Sequence, residues 1–233
     1  MSKKDTIKLL FNNIAPSYDK LNHILSMGID KIWRKKAVRI LCKEKKAMNF
    51  LDIACGTGDF SFDIAKKAYK GSLITGADIS EGMLEIARIK AEKKGFKNIK
   101  SFMLADCEDL PYKDKCFDRI SVGFGVRNFE NREKGLTELC RVMKDDGIFV
   151  ILELSIPQNK LIKTFYNFYF YKILPCIGGL ISKNKGAYTY LPDSVGKFPA
   201  PMSFKNILNN CGFSQVEVRS LSMGICHMYV CKK

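Results

Sequence analysis

No C-x-x-C pair occurs among the nine cysteines, which excludes a disulfide framework or a zinc site by spacing and fits a reducing compartment. A clean apolar run is also missing. Asp5, Asn12 and Asn13 interrupt any signal-peptide core, and Asn167, Lys172 and Pro175 break Phe165 to Ile181, short of the roughly 20 apolar residues a span needs. The expectation is a cytoplasmic chain that does not cross a bilayer. There is no internal repeat and no low-complexity linker. Acidic residues are few, 24 against 39 Lys plus Arg, giving +15 over 233 residues. The surplus is uneven. Residues 1–50 and 155–233 each carry +8 and residues 51–154 carry −1. Basic flanks around a neutral middle suit an anionic partner, either nucleic acid or phospholipid headgroups, and Lys31, Arg34, Lys35, Lys36, Arg39, Lys160, Lys163 and Lys172 are expected at such a surface.

From residue 48 onward, short apolar runs alternate with helical patterns, which predicts βαβ units and a mostly parallel sheet. Strands are expected at Met48–Ala54, Ser72–Ala77, Ile99–Leu104, Phe117–Phe124 and Ile148–Leu154. Helices are expected at Phe60–Ala68, Glu81–Lys94 and Arg132–Met143, with Gly95 closing the second. Gln215–Leu221 and Ile225–Cys231 form an antiparallel hairpin around Ser222-Met223-Gly224. Four parts follow: a helical cap over residues 1–47, with Ile32, Trp33, Val38 and Leu41 on one apolar face; an α/β core over 48–155; an insertion over 156–200; and a closing helix and hairpin over 201–233. The insertion holds or abuts five of the seven prolines. Its Phe165, Tyr166, Phe168, Tyr169, Phe170 and Tyr171 put rings on nearly every side of a helix, as burial or lipid contact requires.

The first core strand runs into Asp52-Ile53-Ala54-Cys55-Gly56-Thr57-Gly58-Asp59, a glycine turn that lets a ligand approach backbone N–H groups. A dinucleotide fingerprint would need glycine where Ser61 stands, and Asp52 and Asp59 would repel a pyrophosphate. They suit the ammonium and sulfonium of S-adenosylmethionine. Asp78, at the next strand end, is placed to accept two ribose hydroxyls, and Asp106, at the third, to receive an adenine amino group.

These segments resemble the class I S-adenosylmethionine methyltransferases and, within them, the menaquinone and ubiquinone biosynthesis C-methyltransferases. The resemblance runs through Phe11 to Asp19, Asn22, Ser26-Met27-Gly28, Trp33-Arg34, Asp52 to Asp59, Phe124-Gly125-Val126-Arg127-Asn128, Arg141-Val142-Met143, Leu152 to Ser155, Tyr188-Thr189-Tyr190-Leu191, Ser194 and Phe198-Pro199. It implies a Rossmann-like sheet of five parallel strands plus a C-terminal antiparallel hairpin. It also implies an S-adenosyl-L-methionine site at Asp52, Gly56, Thr57, Gly58, Asp78, Ile79, Asp106, Cys107 and Gly123. Cys55 stands where many relatives have glycine, and Gly123 where some have a cofactor-contacting serine. Arg127 is expected on the acceptor side, stabilising a phenolate, with Tyr18, Asp19 or Tyr188 assisting; no metal is required. The implied reaction is C-methylation of a polyprenylated quinol, demethylmenaquinol first, at an anionic membrane surface, with a homodimer left open. A ubiquinone-pathway benzoquinol is the nearest alternative. A nucleic-acid methyltransferase fits less well, because Gly125-Val126-Arg127-Asn128 replaces the Asn- or Asp-Pro-Pro-aromatic motif that grips a flipped base. A noncatalytic cofactor-binding module would leave the motifs outside the pocket unexplained.

Overall fold

A computed structural model describes residues 2–169 and 185–233. Phe50, Leu51 and Ile53 of β1 (Asn49–Ile53) are buried on both faces, so β1 is an interior strand. It pairs in parallel with β2 (Leu73–Asp78) and with β4 (Phe117–Gly123). Beyond these lie β3 (Ile99–Leu104) and β5 (Met143–Leu154), both parallel. The strand β7 (Cys226–Lys232) runs antiparallel to β5, and β6 (Gln215–Leu221) closes the far edge, giving the order β3-β2-β1-β4-β5-β7-β6. The expected five parallel strands and hairpin are therefore present. Several bounds shift by a single residue, and one shifts further: Met143 already pairs with Phe117, and Lys144 to Gly147 enter as an irregularity before Arg119 meets Ile148, so β5 begins five residues early.

The alternation along each strand divides the interior in two. Leu51, Ile53, Phe149 and Ile151 pack on one face with α5 (Arg132–Val142) and α8 (Pro201–Asn210). Phe50, Val150 and Leu152 pack on the other with α2 (Ile29–Leu41) and α3 (Asp59–Lys67). Local chemistry sets the helix ends. Ser80 accepts the Met83 N–H at the start of α4 (Glu81–Lys94), and Gly95 ends it at φ 64°. On α2 the apolar face is Trp33, Ala37, Val38 and Leu41. Ile32, expected on it, is 54% exposed, because one residue before Trp33 is a turn of about 100° away from that face.

The helix α1 (Lys3–Leu25) lies across the C-terminal ends of the strands and contains Pro16, which cannot donate to the Asn12 carbonyl. In the insertion, α6 (Lys160–Phe168) buries Tyr166 and leaves Phe165 74% exposed and Phe168 largely exposed. Phe170, Tyr171, Lys172 and Cys176 lie outside the described residues. The helix α7 (Lys185–Gly196) then returns the chain to the core through Val195. Among the described residues, no helix is long and apolar enough to cross a membrane.

Candidate active site

From β1 the chain moves outward to β2 and β3 and then returns to β4 on the other side, so a crevice opens at the C-terminal ends of β1 and β4. The turn after β1 enters it with Gly56 at φ 54° and Gly58 at φ 87°. Gly56 donates its N–H to Asp78 Oδ2 at 2.8 Å, and Ser80 N–H donates to Asp78 Oδ1 at 2.9 Å. These bonds fix the carboxylate at the end of β2. Burial pushes the Asp78 pKa up, against the pull of those N–H groups.

A cavity that opens to solvent, about 700 Å³ with its mouth included, is walled here by Gly56, Asp78, Ile79, Asp106, Cys107 and Gly123, with Ile7, Phe11 and Tyr18 of α1 forming its roof. Its acidic walls, Asp78 and Asp106, suit the ribose hydroxyls, adenine amino group and sulfonium of S-adenosylmethionine. Asp106 has a partner that its position in the sequence does not announce. Lys4 Nζ donates to its Oδ2 at 2.5 Å, while the Glu108 N–H reaches Oδ1 at 3.0 Å. Burial alone would raise the Asp106 pKa, but Lys4 and that N–H hold it below the usual carboxylate value.

A second, mainly apolar cavity of about 2100 Å³ opens on the other side of Tyr18, and the two share Tyr18, Ala54, Gly56, Gly123 and Phe124. Trp33, Phe60, Ile162, Phe165 and Tyr166 are among its walls, with Arg127 and Asp52 supplying charge. Asp52 sits at its base, fully buried. Its Oδ1 accepts from Ser121 Oγ and its Oδ2 from Ser61 Oγ, each at 2.6 Å. Burial raises its pKa to about 6, against those two hydroxyls.

Arg127 follows β4 and is buried. Its Nη1 donates to Glu153 Oε1 at 2.8 Å and to the Phe124 carbonyl, and its backbone N–H donates to Glu153 Oε2 at 3.1 Å. Burial alone would lower its pKa, but Glu153 and Tyr18 carry it upward, so the guanidinium stays charged. Tyr18 is its neighbour across the cavity. Burial raises the Tyr18 pKa, opposed by the hydrogen bond with Asn22 and by the Arg127 charge, so the phenol keeps its proton at neutral pH.

Three expected residues stand apart from the cavity walls or are already engaged. Gly58 lines neither cavity, and a Cβ there would meet Phe62 at 2.9 Å, so it serves the turn and its packing. Thr57 donates to Asp19 Oδ1 and accepts from Lys90 Nζ at 3.3 Å. Lys90 also binds Asp19 Oδ2 at 2.6 Å and Asp59 Oδ1 at 2.8 Å, so Asp19 ties α1 to the glycine turn. The Tyr188 side chain lies outside those described. At Gly123, a Cβ would press on Phe60 Cδ1 at 3.0 Å, so a serine there requires Phe60 to yield.

Arg34, expected at the headgroups, is buried instead. It is paired with Asp30 at 2.5 Å, Asp63 at 3.0 Å and Asp59 at 3.5 Å. Lys31, Lys35, Lys36 and Arg39 remain exposed on α2, as do Lys160 and Lys163 on α6. Sequence reasoning gave no site role to Lys4, Asn12, Lys90 or Glu153. Asn12 Oδ1 accepts from the Ser80 hydroxyl at 2.7 Å and the Gly82 N–H at 3.0 Å, clamping α1 to the start of α4.

The model of the ubiE/COQ5 methyltransferase family matches residues 1–233. The chain belongs to this family. Among its relatives, the demethylmenaquinone methyltransferase of Bacteroides fragilis is 43% identical over 231 residues, covering 99% of this chain and 94% of the relative. The ubiquinone/menaquinone biosynthesis C-methyltransferase UbiE of Geotalea daltonii is 43% identical over 233 residues, covering 99% and 97%. A solved putative S-adenosyl-L-methionine-dependent methyltransferase from Methanococcus maripaludis superposes with a TM-score of 0.67 at 20% identity, over 95% of this chain and 93% of that one. The chain is thus a methyltransferase with the class I fold, and S-adenosylmethionine is its methyl donor.

Proposed function

We propose that the protein methylates a ring carbon of demethylmenaquinol at the junction of the two cavities, giving menaquinol and S-adenosylhomocysteine. The observation that carries this reading is the shared wall of Tyr18, Ala54, Gly56, Gly123 and Phe124, where a cavity edged by Asp78 and Asp106 meets a larger, mainly apolar one. When bound, S-adenosylmethionine supplies an electrophilic methyl group. Asp78 accepts the ribose hydroxyls, and Asp106 the adenine amino group, so the methyl end faces the junction. The ring carbon becomes nucleophilic as the neighbouring hydroxyl gives its proton to water; the carbon then takes the methyl as the S–CH3 bond breaks, and loss of the ring carbon's own proton to water restores the aromatic ring. Arg127, charged at all relevant pH, and Tyr18, still protonated, stabilise that oxygen by charge and by hydrogen bonding; neither takes its proton. Walls of Trp33, Phe60 and Phe165 receive the apolar remainder of the acceptor.

The mouth of the apolar cavity supports a membrane-facing orientation. Met27, Phe165 and Met223 line it and are 70%, 74% and 71% exposed, with exposed Lys31, Lys35, Lys160 and Lys163 on the helices beside it. Apolar side chains framed by lysines suit an anionic leaflet, where each basic residue contributes about 1 kcal/mol. Two experiments test the reading. Methyl transfer to reduced demethylated naphthoquinol, benzoquinol, tRNA and DNA, assayed side by side, should favour the naphthoquinol; turnover confined to another acceptor overturns it. Sedimentation with vesicles should show binding to anionic lipid that exceeds binding to neutral lipid and weakens with salt, and equal binding to both refutes the docking.

A further inference from the structure

Arg127 lines the apolar cavity and Asn128 the cofactor cavity, so two consecutive residues place one polar side chain on each side of the junction. Both are held by the same helix. Tyr190 Oη donates to Asn128 Oδ1 at 2.8 Å, and Arg127 Nε donates to Ser194 Oγ at 3.3 Å. Tyr190 and Ser194 are four residues apart on α7 and so share a face. Ser194 spends its own proton on the Leu191 carbonyl at 2.9 Å, which leaves its lone pairs for the guanidinium. With Glu153 on Nη1 and Ser194 on Nε, two sides of the guanidinium are fixed. Tyr190 on Oδ1 fixes the orientation of the Asn128 amide, whose N–H donors can then face a ligand.

We infer that Tyr190 and Ser194 are positioning residues for methyl transfer, so that docking of α7 completes the transfer site. This rests on the reading that Arg127 faces the acceptor. Neither residue touches the reacting atoms; each acts through its partner on the loop after β4. Leu191, between them, lines the apolar cavity itself, so an acceptor packed against α7 also steadies the helix that aims Arg127 and Asn128. Correct seating of the acceptor and correct placement of the polar groups are thereby linked through one helix.

The test compares Tyr190→Phe, Ser194→Ala and Ser194→Thr with wild type, measuring kcat, acceptor KM, cofactor affinity by calorimetry and Tm. The loss of one hydrogen bond predicts kcat lower by about threefold to tenfold in Tyr190→Phe and Ser194→Ala, with acceptor KM and cofactor affinity near wild type and Tm lowered by only a few degrees. Ser194→Thr, which keeps the hydroxyl, should restore turnover. In an Asn128→Ala background, Tyr190→Phe should cost nothing further. Wild-type kcat in both hydroxyl deletions, or full additivity of Tyr190→Phe with Asn128→Ala, overturns the inference. Arg127→Gln separates it from the underlying reading: normal turnover in that variant removes Arg127 from the acceptor side, whereas impaired turnover there with intact Tyr190→Phe and Ser194→Ala defeats the positioning role alone.

Discussion

Replacing Lys4 with glutamine should tighten cofactor binding, although the residue lies in the wall of the cofactor cavity. Its ammonium donates to Asp106 Oδ2 at 2.5 Å, at the carboxylate assigned to the adenine amino group, so an incoming nucleoside competes with it. The Lys4 side chain is 44% exposed and the Asp106 side chain 23%, which places the pair nearer the surface class than the buried one. Such a pair is worth about 0.2 to 1 kcal/mol, and removing it would lower the Kd for S-adenosylmethionine by roughly 1.4- to 5-fold. The gain should shrink as salt rises, because salt already screens the exposed pair. Asp106→Asn, which removes the carboxylate from both partners, should weaken binding. Calorimetry at low and high salt reads all three effects. A weaker Kd in Lys4→Gln would show that the ammonium helps hold the cofactor and would refute the competition.

Asp78→Ala deletes a carboxylate placed for two charge-assisted hydrogen bonds and should raise the cofactor Kd by roughly 10- to 150-fold, read by calorimetry; an unchanged Kd would remove Asp78 from the site. Arg34→Met leaves Asp30, Asp59 and Asp63 without their buried cation and should cost about 3 kcal/mol or more of stability, seen as a lower urea midpoint. For Asp52, the folded pKa of about 6 lies above the ordinary aspartate value of 3.8, so the folded state holds the proton longer than the unfolded one. Stability from this group is therefore greatest below pH 4 and falls as pH rises to about 6. Asp52→Asn should flatten that part of the stability–pH curve in urea titrations, and an unchanged slope would assign it to other groups.

Where local pattern alone decides an element, the sequence was legible almost to the residue. Glu81–Lys94 has a serine cap and a closing glycine, and Gln215–Leu221 alternates against β7; both have the expected bounds. The acids at the ends of β2 and β3 were legible for the same reason, since strand ends converge on one sheet edge. What was hidden depends on pairing across the chain. Lys4 meets Asp106 over 102 residues and Asn12 meets Ser80 over 68, and neither partner carries a local mark of the other. Arg34 sits in a basic run that looks solvated, but two of its acids come from α3, 25 and 29 residues further on.

Pro16 gives α1 a consequence for how its two halves move. Before it, Lys4, Ile7 and Phe11 cover the smaller cavity; after it, Tyr18 faces both cavities and Asp19 and Asn22 border the apolar one. The intervening turn lacks one backbone hydrogen bond. Loosening of the leading half over the donor is therefore only partly transmitted to the trailing half, which Lys90 and Thr57 hold through Asp19. The two halves of α1 should therefore differ in amide hydrogen-exchange protection, with the leading half opening more readily than the half that Asp19 anchors.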